Sequence, residues 1–240
     1  MFHELSLKQY SLLNSHYRMI EINNVLYLEK KITLHPSWGR PHVEALFELT
    51  LTYIEQLQKA NIYFPAVKTA TRGENYFLFL CEYKGINGVQ YIEEYGFPMF
   101  LAPGGFLNQM FEIIRQAQHQ KISLDPHIKN FVFDGEKVWY VDFSPPWGKE
   151  YYQLRFSVAS GEEKKILRSF FSCFEPKQLG YHAASDLLKT DSSSLAMMPK
   201  IYDALHKRGM VTSLYEYFLE EGSRIREAEA TREMKDLFLL

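Results

Sequence analysis

Apolar positions recur with a period near two from Tyr17 to Leu34 and with a helical period beyond it, so the chain opens with strands and passes to a helix. Tyr17, Met19 and Ile22 lead to the turn-prone pair Asn23-Asn24, and Val25 to Leu28 run on into Glu29-Lys30-Lys31, the pattern of a β-hairpin. After Pro36 and Pro41, Leu46, Leu49, Tyr53, Ile54 and Leu57 mark one face of a long helix. It must end before Pro65, because proline lacks the N–H and clashes with the preceding turn. The run Tyr76 to Tyr83, YFLFLCEY, predicts a buried strand that leaves its sheet at Gly85 and Gly88. Gly96, Pro98, Pro103, Gly104 and Gly105 then punctuate a linker, after which helical spacing resumes from Phe106 to Gln120. Two short strands, Phe131 to Phe133 and Val138 to Val141, flank Asp134-Gly135, a strong hairpin signal. Beyond them Glu162 to Phe174, Pro199 to Arg208 and Ser213 to Leu239 carry helical spacing, with a polar loop at Lys189 to Ser194. The pattern is α+β, mainly strand at first and mainly helix afterwards.

Composition narrows what this fold could serve. With 240 residues, 46% of them hydrophobic, the chain can bury a large core as one domain or two packed lobes. Its 27 Lys+Arg against 29 Asp+Glu leave no excess of positive charge for a nucleic-acid face, so no nucleic-acid partner is expected. Cys81 and Cys173 lie far apart, with no second Cys at metal-ligand spacing beside either, which points to a reducing compartment. No apolar run is long enough for a membrane span, and the first ten residues contain Glu4 and Lys8. The expectation is a soluble, cytoplasmic protein without a membrane partner.

The chemistry concentrates between Leu124 and Phe143, LDPHIKNFVFDGEKVWYVDF. Asp125 stands five residues before Asn130, and Asp142 twelve beyond it at the end of an apolar strand. A carboxylate that orients a hydroxyl, with a carboxylate and an amide oxygen that hold magnesium on phosphates, is what phosphoryl transfer requires. Each residue also has a plainer role. Asp125 can cap a turn before Pro126, Asn130 can satisfy loop backbone, and His127 can simply be solvated. Asp142 is harder to explain that way, since a carboxylate following Val138 to Val141 is costly to bury without a cation or donors.

In these residues and their spacing the chain resembles the protein-kinase-like superfamily, closest to the small-molecule kinases related to aminoglycoside and choline phosphotransferases. The resemblance implies a bilobal fold, with residues 1–83 as a nucleotide-binding lobe of antiparallel sheet plus one helix and 84–240 as a mainly helical catalytic and substrate lobe. It implies that Asp125 is the catalytic-loop aspartate, with His127 beside it, and that Asn130 and Asp142 are the magnesium ligands. The resemblance further implies that Lys30 is the lysine that holds the nucleotide phosphates, with Lys31 as the alternative, and that Glu48 or Glu44 on the following helix is its partner. By the same resemblance Leu80 to Tyr83, including Glu82 and Tyr83, would form the hinge that hydrogen-bonds adenine. No glycine precedes Lys30, so the phosphate-covering loop falls on Leu12 to Tyr17, with Asn14 and Ser15 as its polar members. Trp147, Tyr151 and Tyr152 lie where a substrate floor is expected, or else pack the helices.

The function so implied is ATP- and magnesium-dependent phosphorylation of a hydroxyl on a metabolite or antibiotic. Two alternatives stay within that fold: a non-catalytic binding or regulatory module, to which the missing glycines point, and a kinase of a protein or peptide. A third is an unrelated α+β protein.

Overall fold

The computed structural model describes residues 14–34, 38–144, 146–159, 161–169, 175–190 and 194–224. Strands β1 (Asn14–Ile22) and β2 (Val25–Thr33) form the expected hairpin, paired in register from Asn14↔Thr33 to Ile22↔Val25. Its turn is Asn23-Asn24, with φ of 53° and 61°; two successive left-handed residues match the twist of the flanking strands, and asparagine tolerates that conformation. Helix α1 (Arg40–Lys59) follows, burying Val43, Leu46, Thr50, Tyr53, Ile54 and Leu57 on one face. It ends at Ala60, and Asn61 turns the chain with φ 53°.

Strands β3 (Val67–Arg72) and β4 (Tyr76–Glu82) complete a four-stranded antiparallel sheet in the order β1-β2-β4-β3. Phe47 of α1 packs on Phe77 and Phe79 of β4 at centroid distances of 5.3 and 6.0 Å, which seats the helix on this sheet. β3 carries no periodic apolar signal, since VKTATR is an edge strand with no fully buried residue.

A second sheet holds β5 (Ile86–Asn87), β6 (Phe131–Phe133) and β7 (Val138–Tyr140). The segment expected to be a linker is largely helix α2 (Gly88–Phe100). Its start is fixed by a capping box, in which Asn87 accepts from the N–H groups of Val89 and Gln90 and the Gln90 side chain accepts from the Asn87 N–H. Gly96, at φ 79°, breaks its helical geometry two residues before Pro98. Helix α3 (Phe106–His119) is the most regular amphipathic element and buries Met110, Phe111, Ile114 and Ala117.

The rest is helical: α4 (Lys149–Val158), α5 (Gly161–Ser169), α6 (Leu179–Thr190), α7 (Ser194–Lys207) and a last helix, α8, over 215–224. α4 and α6 had no periodic signal in the sequence reading. The helices expected as far as Phe174 and Leu239, and Cys173, lie partly or wholly outside the described residues. The chain is thus α+β, with a small antiparallel sheet near its N-terminus and a mainly helical C-terminal part. β4 ends one residue before the expected boundary at residue 83. Phe143 nevertheless meets Phe79 at 4.9 Å and Phe64 at 5.4 Å, so one core runs beneath both parts. Among the described residues no helix is long and apolar enough to cross a membrane.

Candidate functional site

Lys30 occupies the middle of β2, opposite Tyr17 on β1 and Phe79 on β4, and alternation turns it to the inner face with Ile32. Lys31 is on the outer face, exposed, its ammonium over the Tyr76 ring at 4.6 Å. The two lysines that the sequence left open are therefore distinct, and Lys30 is the inward one. It is 4% exposed, and its Nζ donates to Asp142 Oδ1 and to the Ser144 carbonyl, both at 3.2 Å. Rings of Phe143 and Tyr17 flank the ammonium at 4.9 and 5.7 Å. Burial alone pushes its pKa down, but Tyr17 and the hydrogen-bonded Asp142 carboxylate outweigh that, and the net direction is up. Lys30 is a fixed positive charge at neutral pH.

Asp142 follows β7. Phe131↔Tyr140 closes the β6–β7 ladder, and the Val141 N–H donates to the Asn130 carbonyl at 2.9 Å, carrying the pairing one step further. That step brings Asn130 and Asp142, twelve residues apart, to adjacent strand ends. Both oxygens of Asp142 are engaged, Oδ1 by Lys30 and Oδ2 by the Trp147 indole N–H at 3.1 Å.

Residues 122–127 have no regular structure and lead into a 3-10 turn, Ile128–Asn130. This irregular backbone is held by side chains from four directions. Tyr53 of α1 donates its hydroxyl to the Ser123 carbonyl at 2.7 Å. Tyr140 of β7 accepts the Asp125 N–H at 3.0 Å. Asn130 donates its amide to the Asp125 carbonyl at 3.2 Å, which turns its amide oxygen the other way. Asp186 of α6 accepts the Ile128 N–H at 2.7 Å. Burial without such partners would cost about 1–3 kcal/mol per polar group.

His127 lies between two carboxylates. Its Nδ1 hydrogen-bonds Asp125 Oδ1, and its Nε2 is 3.7 Å from Asp186 Oδ1. Burial alone would push the Asp125 carboxyl up; the charge and hydrogen bond of His127, with Lys129 and Asn130, hold it down at about 2. For His127 burial pulls the pKa down and the two aspartates raise it, with a net rise. Asp125 is consequently an ionised hydrogen-bond acceptor and a feeble base, and His127 is biased toward its cationic form.

The oxygens of Asn130 and Asp142 are hard donors suited to magnesium. Among the described residues no three His, Cys, Asp or Glu side chains gather into a metal site. Two protein ligands, with phosphates and water supplying the rest, are what magnesium commonly takes, so the donor set fits a cation that arrives with a nucleotide.

Other expected members lie elsewhere. Glu44 bridges Arg40 at 3.2 Å and Arg72 at 3.3 Å, and Glu48 is exposed; the described partners of Lys30 are Asp142 and Ser144. The carboxylate partner expected on α1 is therefore supplied by the β7 exit, because the face of α1 that turns inward is apolar. In the expected hinge the Glu82 N–H donates to the Ala66 carbonyl at 3.1 Å and the Tyr83 N–H to Leu26 at 3.0 Å. Those two N–H groups are spent on backbone carbonyls of the protein itself. The Glu82 carboxylate pairs with Lys84 at 2.7 Å. Asn14 and Ser15 are not in a loop but begin β1, opposite Thr33 and Ile32; Leu12 and Leu13 lie outside the described residues. Trp147 reaches the site, whereas Tyr151 is 2% exposed and packs the helices.

Sequence reading missed Tyr53, Tyr140 and Asp186, since an aromatic residue at a core position reads as packing and Asp186 carries no local motif. Their signal was a polar atom on an otherwise buried face: all three residues are less than a tenth exposed. No protein-family model matches the chain, and no curated protein matches it in sequence.

Proposed function

We propose that this chain is a bilobal, protein-kinase-like phosphotransferase that uses ATP and magnesium to phosphorylate a hydroxyl of a small molecule in the cytoplasm. The observation that carries the reading is the meeting of Lys30 with Asp142, because it joins a phosphate-binding cation and a metal-binding carboxylate across the two parts of the chain. The order of elements supports it further: a hairpin bearing the lysine, a helix, a second strand pair, then helices with the acidic loop between them.

In this reading Lys30 holds nucleotide phosphates, and Asn130 and Asp142 hold magnesium. The metal, when bound with ATP, neutralises phosphate charge. Asp125 accepts a hydrogen bond from the acceptor hydroxyl and aims its oxygen at the γ-phosphorus. As the new P–O bond forms, the bond to the ADP oxygen breaks, and the hydroxyl proton passes out along that hydrogen bond late in the transfer. A carboxylate held near 2 suffices, since a loose transition state asks for positioning more than for basicity. Only residues 143–148 separate Asp142 from α4, too short a segment for the long activation loop with which protein kinases bind their substrates. That favours a small acceptor over a protein or peptide.

A non-catalytic module remains the second reading, favoured by the two N–H groups of Glu82 and Tyr83 already spent within the sheet. Purified protein incubated with ATP, magnesium and a panel of hydroxylated metabolites separates the two. Magnesium-dependent ADP release that falls by about 10²–10⁴-fold in Asp125→Asn supports the kinase. Nucleotide binding without turnover for any acceptor, alike in wild type and variant, supports the module.

A further inference from the structure

Trp147 returns to Asp142 five residues after it, and the short path between them has a particular construction. Lys30 grips this loop twice, at Asp142 Oδ1 and at the Ser144 carbonyl. Pro146 is buried, Gly148 adopts an extended conformation and caps α4, and the indole N–H of Trp147 donates to Asp142 Oδ2 at 3.1 Å. Trp147 is itself partly buried against the core, so its ring is held by packing and its N–H has a fixed direction.

We propose that Trp147 is a positioning residue for the cation site, one that holds Oδ2 and fixes the plane of the Asp142 carboxylate, so that Oδ1, which accepts from Lys30 here, is the oxygen offered to magnesium once Lys30 turns to the nucleotide phosphates. This rests on the kinase-like reading of Asp142 and deepens it. The chemistry favours a neutral N–H donor for the task. An indole carries no charge to compete with a divalent cation, yet it occupies one carboxylate oxygen and opposes rotation about the Cβ–Cγ bond. A carboxylate free to turn could offer both oxygens, which suits calcium, whereas magnesium requires a near-octahedral shell and single-oxygen donors. Partners of metal ligands at this remove commonly change metal affinity by about 10–100-fold when they are lost.

The test is calorimetric titration of a non-hydrolysable ATP analogue into wild type, Trp147→Phe and Asp142→Asn, each with magnesium, with calcium and with neither. Phenylalanine keeps an aromatic ring at this position and removes the N–H donor. The quantity read is the ratio of affinities with and without metal, internal to each variant, so partial loss of fold in a variant cancels. Trp147→Phe is expected to lower the magnesium ratio by about 10-fold or more, to lower the calcium ratio less, and to leave metal-free binding unchanged. A magnesium ratio in Trp147→Phe equal to that of wild type overturns the positioning role while leaving the site itself standing. Wild-type binding that is indifferent to magnesium and to Asp142→Asn overturns the kinase-like reading and this inference with it.

Discussion

The Lys30 ammonium and the Asp142 carboxylate meet at 3.2 Å although 112 residues of chain separate them. Their side chains are 5% and 14% exposed, so neither charge is well served by water if the other is removed. Asp142→Ala leaves a buried ammonium with only the Ser144 carbonyl among its described acceptors and is expected to cost about 3 kcal/mol. Lys30→Met leaves a more exposed carboxylate that keeps the Trp147 donor, and about 1–2 kcal/mol is expected. Urea denaturation of the two variants checks the order; equal costs would mean that the pair is not held as buried as it stands here.

The Asp125–His127 pair gives stability a pH dependence of defined sign. His127 has a raised pKa, so its contribution is complete below its unfolded value of about 6.5 and fades as pH rises through the folded value. Asp125, held at about 2, contributes above its unfolded value of about 3.9 and loses that contribution as pH falls toward 2. Denaturation midpoints of the wild type should therefore decline on both the alkaline side of 6.5 and the acid side of 4. In His127→Gln the share of the alkaline decline that His127 contributes should be lost.

Two tyrosine hydroxyls carry the loop that bears Asp125. Tyr53 donates to the Ser123 carbonyl, Tyr140 accepts the Asp125 N–H, and the two hydroxyls influence each other electrostatically. Removing either hydroxyl strips a buried backbone group of its partner, so Tyr53→Phe and Tyr140→Phe should each cost about 1–3 kcal/mol. Because they act as one network, the double variant should cost clearly less than the sum. Additive costs in a double-mutant cycle would show that the hydroxyls hold the loop independently.

Hairpin, α1, β4, α3 and the β6–β7 hairpin were legible in the sequence because each has a strong period or a turn pair such as Asn23-Asn24 or Asp134-Gly135. β3 was not, because an edge strand of Lys, Thr and Arg has no buried face to mark it. α2 was hidden by its own punctuation: Gly96 and Pro98 read as linker, while the capping residue Asn87 was passed over. Lys30, Asp125, Asn130 and Asp142 could be chosen by chemistry and spacing, but their partners could not. Lys30 pairs across the fold with Asp142 and not with α1, and Asp186 reaches the loop from a helix with no motif. Such contacts depend on how elements pack, which local pattern does not encode.

Gly88 ties the start of α2 to the loop that bears Asn130. A Cβ at Gly88 would lie 2.4 Å from Ile128 Cγ1 and 2.9 Å from the Ile128 carbonyl oxygen. The Ile128 backbone cannot retreat easily, since its N–H is bound to Asp186 and its side chain is 2% exposed. Gly88→Ala should therefore cost about 1–3 kcal/mol through overpacking and should displace the Ile128–Asn130 turn. A shift of about 1 Å there is enough to lower turnover by about 10²-fold, so activity should fall further than the loss of folded protein accounts for. Gly161, where an added Cβ meets nothing within 4 Å, is the control, and Gly161→Ala at the start of α5 should lower neither stability nor turnover. If Gly88→Ala behaves like Gly161→Ala, α2 does not press on the Asn130 turn and the close packing between them has no part in positioning the site.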